Sequence, residues 1–285
     1  MELALGTVQF GLAYGVVGSG QQVPDDEARR ILEQAAALGI RVLDTAAAYG
    51  DIEQRLAGLT GGAPFSVVSK IPPLPAEVNT ADAAAAFVRS SLERSQQRLG
   101  TLLQSVLFHS ADNLAGPLGD ALWRAAADGC GPAHIRLGVS CYGPQQLEAL
   151  RRRYDIRIAQ LPGNVLDQRL AEHQFDGVEL HLRSAFLQGL LLAPAEQGGA
   201  RVPDAAAHLA RWQQRCLEHG LSPLTAALSA VKALPGVRYC VVGVESVAQL
   251  AQIATAWTRA TPLAWPDLAT DEPAVIDPRV WKKAA

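Results

Sequence analysis

Residues 65–110 read FSVVSKIPPLPAEVNTADAAAAFVRSSLERSQQRLGTLLQSVLFHS. An apolar run, FSVVSK (65–70), passes through a proline-rich turn into the alanine-rich stretch TADAAAAFVRSSLERSQQRL (80–99). A second apolar run, SVLFHS (105–110), follows. Short apolar runs bounded by turn residues read as buried strands, and apolar residues at three- and four-residue spacing read as a helix packed on a sheet. Strand, helix and strand in that order make a crossover unit, the connection that parallel strands require.

The same rhythm extends in both directions. Further strands are expected at LALGTV (3–8), RVLDTA (41–46), IRLGVS (135–140), RIAQLP (157–162), VELHLRS (178–184) and RYCVVG (238–243), making eight. Helical spacing is read in DDEARRILEQAAALG, the short DIEQRLAGL, LGDALWRAAADG, PQQLEALRRRY, a weak DQRLAEHQF, DAAAHLARWQQRCLEHG and PLTAALSAVKALPG. Eight strands with helical crossovers in about 250 residues match a closed (β/α)8 TIM barrel better than an open doubly wound sheet. The fold class is therefore α/β, a single barrel domain over residues 1–285, since no linker-like or low-complexity block divides the chain. PAEQGGARVPD (194–204) reads as a long loop after strand seven, and VESVAQLAQIATAW (244–257) as an extra helix after strand eight. The tail TPLAWPDLATDEPAVIDP is irregular and is expected to drape over the barrel.

Composition narrows the function. A formal net charge of −3 gives no electrostatic argument for nucleic acid or an anionic membrane. Cys130, Cys141, Cys216 and Cys240 are scattered without C-x-x-C pairing, so neither a zinc site nor a disulfide framework is suggested. His134, His173, His181, His208 and His219 share no metal-ligand spacing, so no metal is expected. The N-terminus MELALGTVQF lacks the pattern of a signal peptide, and no apolar run reaches the ~18 residues of a membrane helix. The expected setting is cytoplasmic.

In a barrel of this kind, side chains at the carboxyl ends of the strands converge on one rim, where the chemistry is held. Strand two ends in Asp44 with Tyr49 just beyond, strand three in Lys70, and strand four in His109. Singly, each has a bland reading as a helix cap, a solvated tip or a backbone partner. Four reactive side chains from three consecutive strands are harder to dismiss.

The order Asp44 and Tyr49 in LDTAAAYGD, Lys70 in VVSK and His109 in VLFHS resembles the Asp–Tyr–Lys–His tetrad of the aldo-keto reductases. LGTVQFGLAYG, GVSCYGP, QLPGN and LRSAFLQGLLL resemble that family's first strand and loop, strand-five turn, strand six and strand seven. The resemblance implies a TIM barrel that reduces aldehydes and ketones with NADPH or NADH and needs no metal. Its partner is a small carbonyl compound. Carbonyl reduction needs a hydride donor at carbon and a proton donor at oxygen. Tyr49 would be that acid, with Lys70 lowering its pKa, Asp44 fixing Lys70, and His109 orienting the carbonyl. A cofactor-binding barrel with a sensing or regulatory subunit role is the alternative within the same resemblance.

Cofactor contacts carry over less evenly. Ser140 and Gln160 match the positions that hold the nicotinamide carboxamide, whereas Cys141 stands where the family has Asn. Arg183 takes the place of a stacking Tyr on strand seven. Ser184, Phe186, Gln188 and Gly189 would line the pyrophosphate path, and Gly243 would let backbone approach phosphate closely. Around the adenosine ribose the chain offers Glu245 and Gln249, with Ala251 and Ile253 where Arg and Asn are expected. A carboxylate there accepts hydrogen bonds from a free ribose hydroxyl and repels a phosphate, so NADH is expected to serve at least as well as NADPH. Phe10, Tyr14, Trp281 and the 194–204 segment are expected pocket walls.

Overall fold

The computed structural model describes residues 1–281. Eight parallel strands close into a barrel in chain order: β1 (Glu2–Gly6), β2 (Val42–Asp44), β3 (Ser66–Ile71), β4 (Leu103–Phe108), β5 (Arg136–Ser140), β6 (Ile158–Pro162), β7 (Glu179–Arg183) and β8 (Val237–Gly243). The ring closes where β1 pairs with β8, Gly6 opposite Gly243. All eight sequence-predicted strands are present. Their near-continuous apolar character follows from burial on both faces, by barrel interior within and helices without.

Side chains alternate along each strand, so residues two apart share a face. Ala4, Val42, Val68, Leu107 and Ile158 form a small apolar plug with Tyr239 and Val241 packed on it. Two residues further along three of these strands stand Asp44, Lys70 and Gln160, all buried. The plug below and the polar layer above follow from the same period of two.

Outside the strands, helices Asp25–Ala37, Ile52–Leu59, Ala81–Leu99, Gly119–Cys130 and Pro144–Arg151 cover the first five crossovers. Ala81–Leu99 starts at Thr80, whose hydroxyl accepts the Ala83 N–H. Its buried stripe, Ala84, Val88, Leu92 and Leu99, joins the main core.

Two expectations fail. The stretch DQRLAEHQF forms only a 3-10 turn, Arg169–Glu172. The Asn164 side chain accepts the N–H groups of Leu166 and Asp167, and Arg169 turns back to bind Asp167 and the Tyr142 carbonyl. These local side-chain bonds compete with a helical ladder. The segment 194–204, expected as a loop, instead carries helix Ala195–Arg201 and the 3-10 turn Pro203–Ala205. Its glycines permit close packing on helix Ala206–Glu218: a Cβ on Gly198 would lie 2.7 Å from Leu209 Cδ1, and one on Gly199 2.8 Å from Ala206 Cβ. Helix Pro223–Lys232 then leads into β8, and Val247–Arg259 is the expected extra helix.

The tail crosses the barrel as predicted. Trp265, Leu268, Val275 and Ile276 bury themselves in a second apolar cluster with Trp212, Leu209 and Leu190. At about 1.5–3 kcal/mol for each large apolar side chain fully buried, this anchors the tail firmly at the barrel mouth.

Candidate active site

A cavity of about 800 Å³ opens at the carboxyl ends of the strands, within the usual size of small-molecule sites. Among the predicted residues, Asp44, Tyr49, His109, Ser140, Gln160, Arg183, Ser184, Phe186, Gln188, Gly189, Gly243, Glu245 and Gln249 all line it. Lys70 lies just beneath, 1% exposed.

Lys70 is the anchor of the polar layer. Its Nζ donates to Asp44 Oδ1 at 2.7 Å, Asp44 Oδ2 at 2.8 Å and the Thr45 carbonyl at 2.8 Å. Gln160 Nε2 donates to Asp44 Oδ1 at 2.7 Å. Burial pushes the Lys70 ammonium's pKa down, and the Asp44 carboxylate pushes it back up. Lys70 Nζ also sits 5.3 Å from the Tyr49 ring centroid.

Tyr49 and His109 stand edge to face, with ring centroids 5.8 Å apart. Burial, then the Asp44 charge, raises the Tyr49 pKa, and the nearby Arg183 guanidinium partly opposes them. This departs from the expectation that Lys70 lowers it. The ammonium makes three short bonds to Asp44 and Thr45, and of that pair it is the Asp44 carboxylate whose charge acts on the phenol. His109 is pushed down to about 4, chiefly by burial and then by Lys70, so its imidazole is neutral near pH 7. Its Nδ1 is buried with no partner, a polar atom aimed at nothing the protein supplies.

The far half of the cavity runs between β7 and β8. The chain after β7 holds Ser184, Leu187 and Gln188 at positive φ of 64°, 47° and 53°. The loop after β1 crosses this channel: the Val16 and Val17 N–H groups reach the Gln188 carbonyl at 3.3 and 3.4 Å. Ser19 N–H donates to the Glu245 carboxylate at 3.0 Å, and Glu245 N–H donates to Gln249 Oε1 at 2.7 Å. A Cβ on Gly243 would lie 2.5 Å from Gln9 Nε2, and Gln9 Oε1 is buried without a partner. The Gln9 amide thus lies over the Gly243 backbone, and its orphaned oxygen, like His109 Nδ1, is left for a bound ligand's hydroxyl or amide to meet.

Some expectations do not hold. Phe10 is fully buried in the main core rather than in the cavity. Trp281 packs against the second apolar cluster, and Pro278 and Arg279 line the mouth in its place. Tyr14 and, from the 194–204 segment, Pro194 and Gln197 do form walls. Cys141 is wholly buried and pushed up to about 12 by that burial, as suits packing rather than reactivity. Tyr142 was missed: its ring centroid lies 4.4 Å from the Arg183 guanidinium carbon and 3.4 Å from that of Arg279. Its place beside Cys141 in the strand-five turn was a usable signal. Arg279, in the tail, gave none. No group of His, Cys, Asp and Glu suited to a metal ion occurs among the described residues, and no described helix is long and apolar enough to cross a membrane.

Comparison with known proteins bears on this arrangement. Residues 2–264 match the family model described as Aldo/keto reductase family. No curated protein sequence matches significantly. Among solved structures, a Pseudomonas aeruginosa protein described as an aldo-keto reductase is 25% identical with a TM-score of 0.66, over 90% of this chain and 89% of its own. The holo form of a Bacillus halodurans aldo-keto reductase is 21% identical with a TM-score of 0.69, over 92% and 88%. A Gluconobacter oxydans glycerol dehydrogenase is 20% identical with a TM-score of 0.67, over 93% and 88%. The last two likenesses speak for the barrel alone.

Proposed function

The chain belongs to the aldo/keto reductase family, and from that premise we propose that it reduces an aldehyde or ketone to an alcohol with NADH or NADPH. The observation that carries the reading is the juxtaposition of Asp44, Lys70, Tyr49 and His109 under one cavity at the barrel mouth.

The nicotinamide, when bound, supplies a hydride to the carbonyl carbon. Ser140 and Gln160 would hold its carboxamide, with the Gln160 amide already oriented by Asp44. Ser184, Phe186, Gln188, Gly189 and Gly243 would receive the pyrophosphate, and Glu245 and Gln249 the adenosine ribose. Oxygen of the substrate gains charge as the carbon is attacked, and the protein must meet that charge with donors. The Tyr49 phenol, held protonated by burial and Asp44, gives its proton to this oxygen. Neutral His109 donates one N–H to the same oxygen and fixes its direction. Lys70 and Asp44 hold the layer beneath rigid, which keeps the phenol placed.

The test is Tyr49→Phe, followed by loss of reduced-nicotinamide absorbance over a panel of aldehydes, ketones and sugars. General acid catalysis typically supplies about 10²–10⁴-fold, so kcat should fall by that factor while the cofactor still binds. A variant retaining most of the wild-type rate on a substrate that is clearly reduced would remove Tyr49 from the role of proton donor.

A further inference from the structure

Four side chains of fixed charge line the cavity: Asp44, Arg183, Glu245 and Arg279. Three are already answered by the protein. Asp44 is bound by Lys70 and Gln160. Arg279 grips Asp277 through Nε and Nη2, at 3.0 and 2.6 Å. Glu245, at the far end, accepts the Ser19 N–H.

Arg183 is different. Among the described residues its guanidinium has no carboxylate partner within ion-pair distance. Nη1 donates to Ser184 Oγ at 3.3 Å and Nη2 to the Cys141 carbonyl at 3.2 Å. A guanidinium carries five N–H donors, so most are left over. It sits over the Tyr142 ring, 4.4 Å from the centroid, and its charge is felt at Tyr49, His109 and Tyr14 and, from beyond contact distance, at the Asp277 carboxylate that Arg279 holds. A planar guanidinium with donors to spare and no carboxylate in contact, lining the same cavity as the candidate acid, is a built receptor for a planar anion, because its fork matches a carboxylate with two parallel bonds. A guanidinium with no carboxylate in contact is costly in a partly buried site, so a ligand that supplies one gains there as well.

Resting on the carbonyl-reductase reading, we propose that the substrate is an oxo-acid, a carbonyl compound with a carboxylate a short carbon chain away, and that Arg183 binds that carboxylate. Burial within reach of Tyr14 and Tyr142 favours a small organic acid. The same charge would oppose the cationic, oxidised nicotinamide, and the substrate's carboxylate relieves that opposition.

The test compares kcat/KM for matched pairs, succinate semialdehyde against butanal and glyoxylate against acetaldehyde, in the wild type, Arg183→Gln and Arg183→Lys. The acid should be preferred by about 10- to 100-fold, the range of a charge-assisted hydrogen bond. That ratio should collapse toward unity in Arg183→Gln and recover in part in Arg183→Lys. Any contact between Arg183 and the cofactor is shared by both members of a pair and cancels in the ratio. A second readout needs no turnover: succinate, but not succinamide, should raise the melting temperature of the full chain, and Arg183→Gln should abolish the rise. Equal rates for acid and neutral partners, or a preference that survives both substitutions, overturn the inference and leave carbonyl reduction standing. Absence of turnover with every carbonyl overturns the reductase reading instead. The succinate response then decides whether Arg183 is an anion receptor.

Discussion

Replacing Lys70 by Met separates what the buried pair does for the fold from what it does for chemistry. Lys70 and Asp44 are 1% and 6% exposed, and the ammonium supplies two of the three side-chain hydrogen bonds that Asp44 accepts. Met fills much the same volume but donates nothing, so Asp44 keeps its charge with Gln160 as its one side-chain donor. Stranding one member of a buried ion pair costs about 3–5 kcal/mol. For 285 residues the unfolding entropy is about 0.6 kcal/mol/K, so the melting temperature should drop by about 5–8 °C. Adding Asp44→Asn should recover most of the loss without recovering turnover. Calorimetry of the wild type, Lys70→Met and the double variant at neutral pH, with rates on one substrate, checks each step. A single variant within about a degree of wild type, or a double variant no more stable than the single, would refute the argument that the pair is held by mutual need.

Three further outcomes are expected. Glu245→Arg should move preference from NADH toward NADPH: at about 5 Å, a carboxylate repels each phosphate charge by roughly 1–3 kcal/mol, about tenfold or more in affinity. A strong wild-type preference for NADPH that the substitution leaves untouched would refute this, as measured by kcat/KM for both cofactors. His109, at about 4 in the folded chain against about 6.5 unfolded, leaves the unfolded state binding more protons between those values. Stability is therefore lost as pH falls through that window; His109→Gln should flatten this part of the melting-temperature profile, and an unchanged slope counts against a neutral His109. All four cysteines are free and buried, with Cys141 and Cys240 pushed up to about 12 and Cys130 to about 11. A maleimide should label none of them rapidly until denaturant is added, and rapid labelling of Cys141 in the native protein would contradict its role as packing.

The barrel was legible because its strands announce themselves twice, once by apolar runs and again by the polar residue that ends each run. Asp44, Lys70 and His109 could be placed on one rim from those signals, Ser140 and Gln160 only through the family resemblance; in the folded chain Asp44, His109, Ser140 and Gln160 line one cavity with Lys70 bound to Asp44 beneath it. Boundaries moved where a local bond outcompeted the pattern, as Asn164 does after β6. Helix Ala195–Arg201 was hidden by Gly198 and Gly199, which read as loop punctuation yet serve close helix packing. Arg279 and Tyr142 illustrate a harder limit. Their meeting depends on where an aperiodic tail lands, and that is decided by Trp265, Leu268, Val275 and Ile276 finding an apolar surface built by other elements.

The largest revision concerns which cation tunes Tyr49. From the sequence, Lys70 was the natural choice, because an ammonium next to a phenol favours phenolate. In the folded chain that ammonium is bound by Asp44 and Thr45, and of the pair it is the Asp44 carboxylate whose charge is felt at Tyr49. Arg183, which has no carboxylate in ion-pair contact among the described residues, is the cation that opposes the rise of the phenol's pKa. On the proposed reading, a phenol held protonated is in the right state to donate at neutral pH. Oxidation of an alcohol needs the phenolate as base, and its rate should keep climbing with pH well above neutrality. Comparison of kcat in the two directions across pH checks this: a reductive rate that already falls between pH 7 and 8 would show that the acid in use is not the buried Tyr49.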